Sequence, residues 1–501
     1  MASEIYSWSA KSQFRNRTRE LARLEAWWAD SSVEPLAIWG RRRVGKSWLF
    51  RRLADGKPAV ILVADRVSQG LQLQRIARDL EEVIGFRPQL DDIAALFTTL
   101  FRLAREQKTL VVIDELPYLL GTSTAEQQAN LTTIQAVMEQ ERDSSQIKLV
   151  LAGSTIAVME ELLAEKNPLH GRLVPFAVRP LGFAHARQLM GERRERQGHV
   201  EELTHFAISG GMPRYLKALD ADNLLNAVTR TVLDPNGALF NEPRTVIASE
   251  LREPAMYFSI LSSLAVKPAL ATEIATDLRL ESRELSPYLQ TLESLQLVSR
   301  YEPIGGKPRS RGASRWRCDD DFIRFWFRFV EPYQGELEAG ADPGAFMRRR
   351  VMPFLPEHVG QTFERVVAEW MRQEHRDLAP VVGSWWGSAL HPLRRAKERF
   401  SEEIDVVVVD GTKVVAVAEA KWTNSKMRAD VLTDLDDYKL PALAQAGFDV
   451  SGADIVLAAK VGFSKALREL SAGRPEVRLL PAESLLEDLS ASSGAAQAQD
   501  S

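Results

Sequence analysis

Gly40, Gly45, Lys46 and Ser47 hold the fixed positions of G-x-x-x-x-G-K-S in Gly40-Arg41-Arg42-Arg43-Val44-Gly45-Lys46-Ser47. This spacing turns successive backbone N–H groups inward around a phosphate at a helix N-terminus, with glycine where a Cβ would obstruct the bend. Lys46 is then placed for the β- and γ-phosphates of ATP, the Ser47 hydroxyl for Mg²⁺, and the backbone from Arg41 to Trp48 for the phosphate chain. Further on, an apolar run ends in Asp114-Glu115. Asp114 suits Mg²⁺ held through water, and Glu115 suits polarisation of an attacking water. Ser154, at the end of another apolar run, is a small polar group able to touch the γ-phosphate. A separate pattern lies near the other end of the chain, where Asp405 is followed fourteen positions later by Glu419-Ala420-Lys421. Carboxylates on adjacent strands can hold a divalent cation, and a lysine two residues beyond the second can orient water toward a scissile phosphate.

The first set of residues needs strands to carry it. Leu36–Trp39 reads as a buried strand feeding the loop, and a helix begins at Trp48. Apolar runs at 36–39, 59–64, 109–113, 147–152 and 174–178 alternate with helical stretches, including 71–83 and 91–107. That order describes a doubly wound, parallel α/β sheet. Ahead of it, residues 14–28 read as a turn entering an amphipathic helix with Leu21, Leu24, Trp27 and Trp28 on one face. Arg172, just before the last run, is either an arginine finger for the γ-phosphate or an ordinary surface arginine.

The middle of the chain changes character. Helices expected over 257–265, 272–278 and 282–295 precede a strand from Leu297, a Gly/Pro/Arg-rich loop and a strand over 314–318. Three helices and a two-stranded wing make a winged helix-turn-helix order. Between Arg300 and Arg317 stand six basic residues (Arg300, Lys307, Arg309, Arg311, Arg315, Arg317) against one acid, Glu302. Such a wing suits DNA phosphates, the alternative being a winged helix that only packs against protein. The aromatic stripe Phe322-Ile-Arg-Phe-Trp-Phe-Arg-Phe is read as core. A helix over 359–373 then buries Phe363, Val366, Val367 and Trp370 and carries Glu364. Strands 403–409 and 413–422 form a hairpin about Asp410-Gly411-Thr412, with Glu419 and Lys421 on one face.

At 501 residues the chain is too long for one core. Its formal net charge of −4 leaves nucleic-acid contact to a local basic face. The single cysteine, Cys318, excludes disulfides and cysteine-based zinc sites. The sequence shows neither a signal segment nor a run long enough to span a membrane, so a cytoplasmic protein is expected.

Gly40-Arg-Arg-Arg-Val-Gly-Lys-Ser, Asp114-Glu-Leu-Pro-Tyr-Leu and Gly210-Gly-Met-Pro-Arg-Tyr-Leu together resemble the archaeal-type ATPases of the STAND division, relatives of AAA+ proteins. The resemblance implies ATP and Mg²⁺ binding, a nucleotide-dependent switch, and a helical lid in which Gly211-Met-Pro213 approaches the nucleotide. Arg172 falls where the family has a Gly-Arg pair, while Thr18 stands where its Phe-x-x-Arg-Glu opening carries an acid. Asp405 with Glu419-Ala-Lys421 resembles the PD-(D/E)xK nuclease core, in which Glu364 would be the helix acid. The expected divisions are an ATPase domain over 14–190, a lid over 191–250, a winged helix over 251–318, a nuclease-like domain over 319–485 and a disordered tail over 486–501. Three functions fit this plan: an ATP-gated DNase, an ATP-switched DNA-binding regulator with an inactive nuclease fold, and a scaffold ATPase acting on protein partners. A protein trigger and a homo-oligomer both stay open.

Overall fold

Leu36–Trp39, Thr109–Asp114 and Ile147–Gly153 are apolar at nearly every position, the pattern of parallel strands covered on both faces, and each is buried throughout. The structure is a computed structural model that describes residues 17–31, 34–190, 198–251, 254–305, 314–390 and 399–489. It divides into two units, with the break between Pro180 and Leu181.

In the first unit, β1 (Leu36–Trp39), β2 (Ala59–Val63), β3 (Thr109–Asp114), β4 (Ile147–Gly153) and β5 (Val174–Ala177) form one sheet in the order β2-β3-β4-β1-β5. All of its pairings are parallel, as the sequence pattern requires. Because β4 runs between β1 and β3, these strands finish side by side, with Trp39 beside Gly153 and Ile113 beside Leu151. Ligands of open α/β sheets bind outside the carboxyl ends of the strands. Helices Gln69–Ile84 and Ile93–Leu103 pack their apolar stripes into the same core.

In the second unit, helices Pro254–Val266, Ala271–Asp277 and Ser282–Ser294 accompany an antiparallel sheet of β6 (Ala269–Leu270), β7 (Val298–Tyr301) and β8 (Arg315–Cys318), in the order β6-β8-β7. The wing residues Lys307, Arg309 and Arg311 lie outside the described residues, as does most of the expected tail. A second sheet holds β9 (Val381–Leu390), β10 (Arg399–Asp410), β11 (Lys413–Lys421), β12 (Asp454–Ala459) and β13 (Val477–Pro481) in the order β13-β12-β11-β10-β9. Strands β9 to β11 pair antiparallel and β11 to β13 parallel. Short strand β6 and the edge strand β13 carry no strong alternation, and neither is anticipated from the sequence.

One apolar core of this sheet takes Val406, Val408, Ala416 and Ala418 from the strands, Val359, Phe363 and Val366 from helix Leu355–Glu374, and Phe183, Leu203, Phe206 and Leu216 from the segment before the middle helices. Residues expected to form a lid therefore share a core with the C-terminal sheet. The other core takes Ile404, Val407, Val409 and Val417 together with Leu435, Leu443 and Leu467. The aromatic stripe is helix Asp321–Phe329, capped by the Asp320 carboxylate accepting from Ile323 N–H at 2.9 Å, with Phe322, Phe325, Trp326 and Phe327 buried.

That helix also carries an ion network into the interior. Asp321 accepts from Arg324 at 2.9 Å and from Thr362 at 3.0 Å, and also pairs with Arg365. Burial alone would raise the Asp321 carboxyl, but the two guanidinium groups outweigh it and hold its pKa below the ordinary value. Its stabilising contribution is therefore present above the ordinary carboxylate range and is lost as pH falls through the lowered folded value. Asp321→Ala should leave Arg324 buried without its countercharge, although it keeps hydrogen bonds to Gln361, Thr362 and the His358 carbonyl, at a cost of roughly 3 kcal/mol. Urea denaturation at neutral pH measures this, and a loss under about 0.5 kcal/mol would make the network dispensable.

Candidate functional site

The first candidate site is built on three strand ends. After β1 the chain turns through Arg43, at φ 70°, and Gly45, at φ 102°, into helix Lys46–Ala54. Gly40 is required for a different reason, because a Cβ there would collide with the carbonyl oxygen of Val178. Val44 is fully buried under the loop, Trp48 is half-buried, and Arg41 is buried. Lys46 Nζ donates to Gly40 O at 2.7 Å and to Arg41 O at 3.4 Å, so the ammonium lies within the loop's own concavity.

Strand β3 delivers the acids. Ser47 Oγ donates to Asp114 Oδ2 at 3.0 Å, and Asp114 Oδ1 accepts the Glu115 N–H at 3.0 Å. Burial, and next the negative charge of Glu115, raise the Asp114 carboxyl above its ordinary pKa, against the opposing pull of Ser47 and Lys46. Glu115 sits in the left-handed region at φ 57°, a conformation a non-glycine residue adopts at some cost. Its Oε2 accepts from Ser154 Oγ at 2.8 Å and Ser154 N at 3.2 Å. The serine expected at the γ-phosphate is thus, in this arrangement, the group that holds Glu115. A hydroxyl and a carboxylate side by side are suitable donors for a hydrated Mg²⁺.

Two residues to which the sequence assigns no role join this site, although both stand in the motifs that carry the resemblance. Arg17 Nη2 donates to Val44 O at 2.8 Å, tying the entry of helix Thr18–Ala29 to the loop, and the Tyr118 hydroxyl accepts from Arg42 at 2.5 Å. Their motifs place them in the sequence but do not say which groups they bond. Arg172 pairs with Glu139 at 2.7 Å and is 40% exposed. Pro213 belongs to the second unit, where it opens helix Pro213–Ala218. A Cβ on nearby Gly211 would strike Leu181 backbone, so that glycine permits a close chain crossing.

The second candidate site lies at the open end of the β10–β11 hairpin. Register on β9 shifts between Ile404 and Val407, a β-bulge that leaves Ile404 and Val407 in one core and Val406 and Val408 in the other. Bulges re-aim side chains beside active sites, and here one includes Asp405. Asp405 Oδ2 accepts from Ala420 N at 2.8 Å, and Lys421 Nζ lies 3.4 Å from it and 3.3 Å from Glu419 Oε2. One ammonium thus bridges both acids. Glu419 is fully buried, and its Oε1 accepts from Lys439 Nζ at 2.6 Å.

Glu364, on the adjoining helix, is close enough to feel Asp405, Lys421 and Glu419. Burial and then Asp405 push its pKa up to about 8. Burial and then Asp405 also raise Glu419, against Lys439 and Lys421. For Lys421, burial alone would lower the pKa, but Asp405, Glu419 and Glu364 overcome it and hold the ammonium above its ordinary value. Three carboxylates converging on one ion, as the sequence suggests, are not what these contacts form. Among the described residues no group of three or more His, Cys, Asp or Glu side chains is arranged to hold a metal ion. Instead, two carboxylates meet two ammonium groups, with Glu364 beside them. Two carboxylates already converging on one cation still fit Mg²⁺, which commonly takes one or two and completes its shell with water and phosphate oxygens.

Strands β7 and β8, expected from the sequence as a wing, are fastened to this sheet. Arg315 donates to both oxygens of Glu403 at 2.9 and 2.8 Å and lies 4.5 Å from the centre of the Trp386 ring. Tyr301 packs edge-on to Trp386, and Ile304 N–H donates to Ser384 O at 3.0 Å, opposite the bulge. Arg300 pairs with Glu302 and Arg317 with Asp319. These arginines are engaged within the chain.

Two stretches of the chain match known families. An ATPase domain matching a family described as predominantly from Archaea spans residues 14–219. Residues 326–431 match a family of archaeal and bacterial proteins of unknown function, a stretch that includes Glu364, Asp405, Glu419 and Lys421. An uncharacterized protein of Methanocaldococcus jannaschii is 25% identical over 446 residues, covering 85% of this chain and 94% of that protein. The Walker-type ATPase of Pyrococcus abyssi shares the fold at a TM-score of 0.50 with 16% identity, over 66% of this chain and all of that one. The ORC2 protein of Aeropyrum pernix, in ADPNP–ADP complexes, gives a TM-score of 0.42 at 17% identity, over 65% of this chain and 95% of that one. No helix among the described residues is long and apolar enough to cross a membrane.

Glu364 makes stability depend on pH. From its ordinary 4.5 up to about 8 the folded protein keeps a proton that the unfolded chain has released, so stability falls as pH rises through that window. Glu364→Gln should flatten this decline in urea midpoints of the metal-free protein between about pH 5 and 9. An unchanged decline would assign it to another group.

Proposed function

We propose that the chain is an ATP-hydrolysing switch whose second unit contains a DNA-directed, divalent-metal-dependent phosphodiester-cleaving centre. The observation that carries the ATPase reading is the alignment of three strand ends, which brings Ser47 onto Asp114 and Ser154 onto Glu115 beside the phosphate-binding loop. Lys46 would exchange the Gly40 carbonyl for the β- and γ-phosphate oxygens, and loop N–H groups would hold the rest of the phosphate chain. Glu115, once released from Ser154, would take the proton of the attacking water. Mg²⁺ held at Ser47 and, through water, at Asp114 would supply charge neutralisation on the phosphates. Arg172 and Pro213 complete the reading, the first as a donor to the γ-phosphate after leaving Glu139, the second as part of the lid.

For the second unit, the reading is a winged helix over 251–318 followed by a restriction-endonuclease-like domain over 319–485. Asp405 and Glu419 would be the ligands of Mg²⁺, which supplies stabilisation of the charge on the phosphate being cleaved. Lys421 would orient the nucleophilic water, and Glu364, from its helix, would exchange a proton with it. DNA would be held by the basic wing. Pairing of Arg300, Arg315 and Arg317 inside the chain favours a second reading for that module, in which it packs against the sheet and transmits the nucleotide state.

Lys46→Ala should weaken ATP binding by at least about tenfold, since the phosphates lose the lysine of the loop. Glu115→Gln should bind ATP as wild type does and lose turnover by on the order of 100-fold, because only proton acceptance has gone. Fluorescent-nucleotide titration and phosphate release distinguish the two. Unaltered affinity in Lys46→Ala would overturn the loop assignment.

A further inference from the structure

Lys439 lies outside every pattern that marks the second site. It follows β11 by eighteen residues, at the end of the π-helical turn Leu435–Lys439, and beyond the stretch matched by the family model. Turns of that type widen a helix by one residue and recur at functional sites. Its Nζ reaches Glu419 Oε1 at 2.6 Å, shorter than either contact of Lys421 with the acids. Glu419 is 1% exposed and the Lys439 side chain 19%. The ion pair is thus sheltered from water on the carboxylate side and open to it on the ammonium side.

A metal ion at Asp405 and Glu419 has to contend with this contact. Two carboxylates facing two ammonium groups already sum to zero charge. Adding a divalent ion while both ammonium groups keep their places would leave excess positive charge in a region with little water, which is unfavourable. Lys421 bridges both acids and is 39% exposed, so it can swing outward toward a substrate phosphate. Lys439 instead holds the one Glu419 oxygen that Lys421 does not.

We propose that Lys439 is a positioning residue that competes with the divalent ion for the Glu419 carboxylate, and so sets the ion concentration at which the centre loads. The proposal rests on the metal-site reading given above. In the unloaded protein the Lys439 ammonium occupies Glu419 Oε1 through their 2.6 Å ion pair. On loading, the ion takes over the carboxylate and Lys439 moves toward solvent.

The test is Mn²⁺ titration of the nucleotide-free full chain by calorimetry, with Asp405→Ala defining the signal that belongs to this site. Lys439→Gln should tighten that signal by about tenfold, and Lys439→Arg, which keeps the charge, should leave it near wild type. Lys439→Met, which keeps the packing of the stem, repeats the measurement should the glutamine variant fold poorly. Thermal unfolding gives a readout apart from activity. In EDTA the uncharged variants should melt below wild type, and Mn²⁺ should raise their midpoints more than it raises that of wild type. Equal or weaker Mn²⁺ binding in the uncharged variants would overturn the role of Lys439 while leaving the site. Absence of any Asp405-dependent Mn²⁺ signal in all proteins would remove the site itself, and the proposal with it.

Discussion

Glu419 places a carboxylate in the central strand of a five-stranded sheet, with 1% of its side chain reaching solvent. Water cannot solvate it there, so the protein must supply both hydrogen bonds and positive charge. Much of the local architecture meets that demand. Lys421 comes from the same strand, two residues on and therefore on the same face. Lys439 comes from a helical turn later in the chain. The bulge in β10 sets Asp405 where it takes the Ala420 N–H and shares Lys421, joining two acids through one cation. Ile304 N–H, just after β7, bonds to the Ser384 carbonyl on the strand opposite that bulge.

The strand-end site of the first unit keeps its acids by other means. Ser47 donates to Asp114 and Ser154 to Glu115, both neutral hydroxyls. Hydroxyl partners restrain a carboxylate without cancelling its charge, so a hydrated cation arriving with a nucleotide meets acids still able to attract it. Ammonium partners do cancel charge, and an ion entering the second site must take their place. The same residue type, a carboxylate near a strand end, is therefore held by neutral hydroxyls in one unit and by ammonium groups in the other. The contrast lies in the partner, hydroxyl or amine.

Legibility in the sequence followed how local each signal was. The five strands around the phosphate-binding loop were readable because parallel, doubly covered strands are apolar throughout, and because loop chemistry fixes residues at short spacing. Gly40 through Ser47, Asp114 and Glu115 stand together for that reason. Lys439, which reaches Glu419 from a distance, left no trace, whereas Arg17 on the Val44 carbonyl and Tyr118 on Arg42 stand inside the Phe14-x-x-Arg17 and Asp114–Leu119 motifs, whose spacing does not say what they bond. Strict alternation could place Glu419 with Lys421, but it cannot register a bulge, which reverses the faces after Asp405. Within the expected lid over 191–250, Leu203, Phe206 and Leu216 share a core with Phe363 and Val406, a packing the sequence does not announce because apolar residues on a helix do not say which sheet covers them.

Under the proposed function, the charge-balanced cluster in the second unit cleaves phosphodiesters under control of the nucleotide bound to the first. Full-length protein incubated with supercoiled plasmid and Mn²⁺, with and without ATP, tests it directly by gel electrophoresis. The expected result is metal-dependent conversion to nicked or linear DNA, at a rate that changes when ATP is added and that vanishes in Asp405→Ala. Plasmid that stays supercoiled under every condition, or cleavage that persists undiminished in Asp405→Ala, would contradict it.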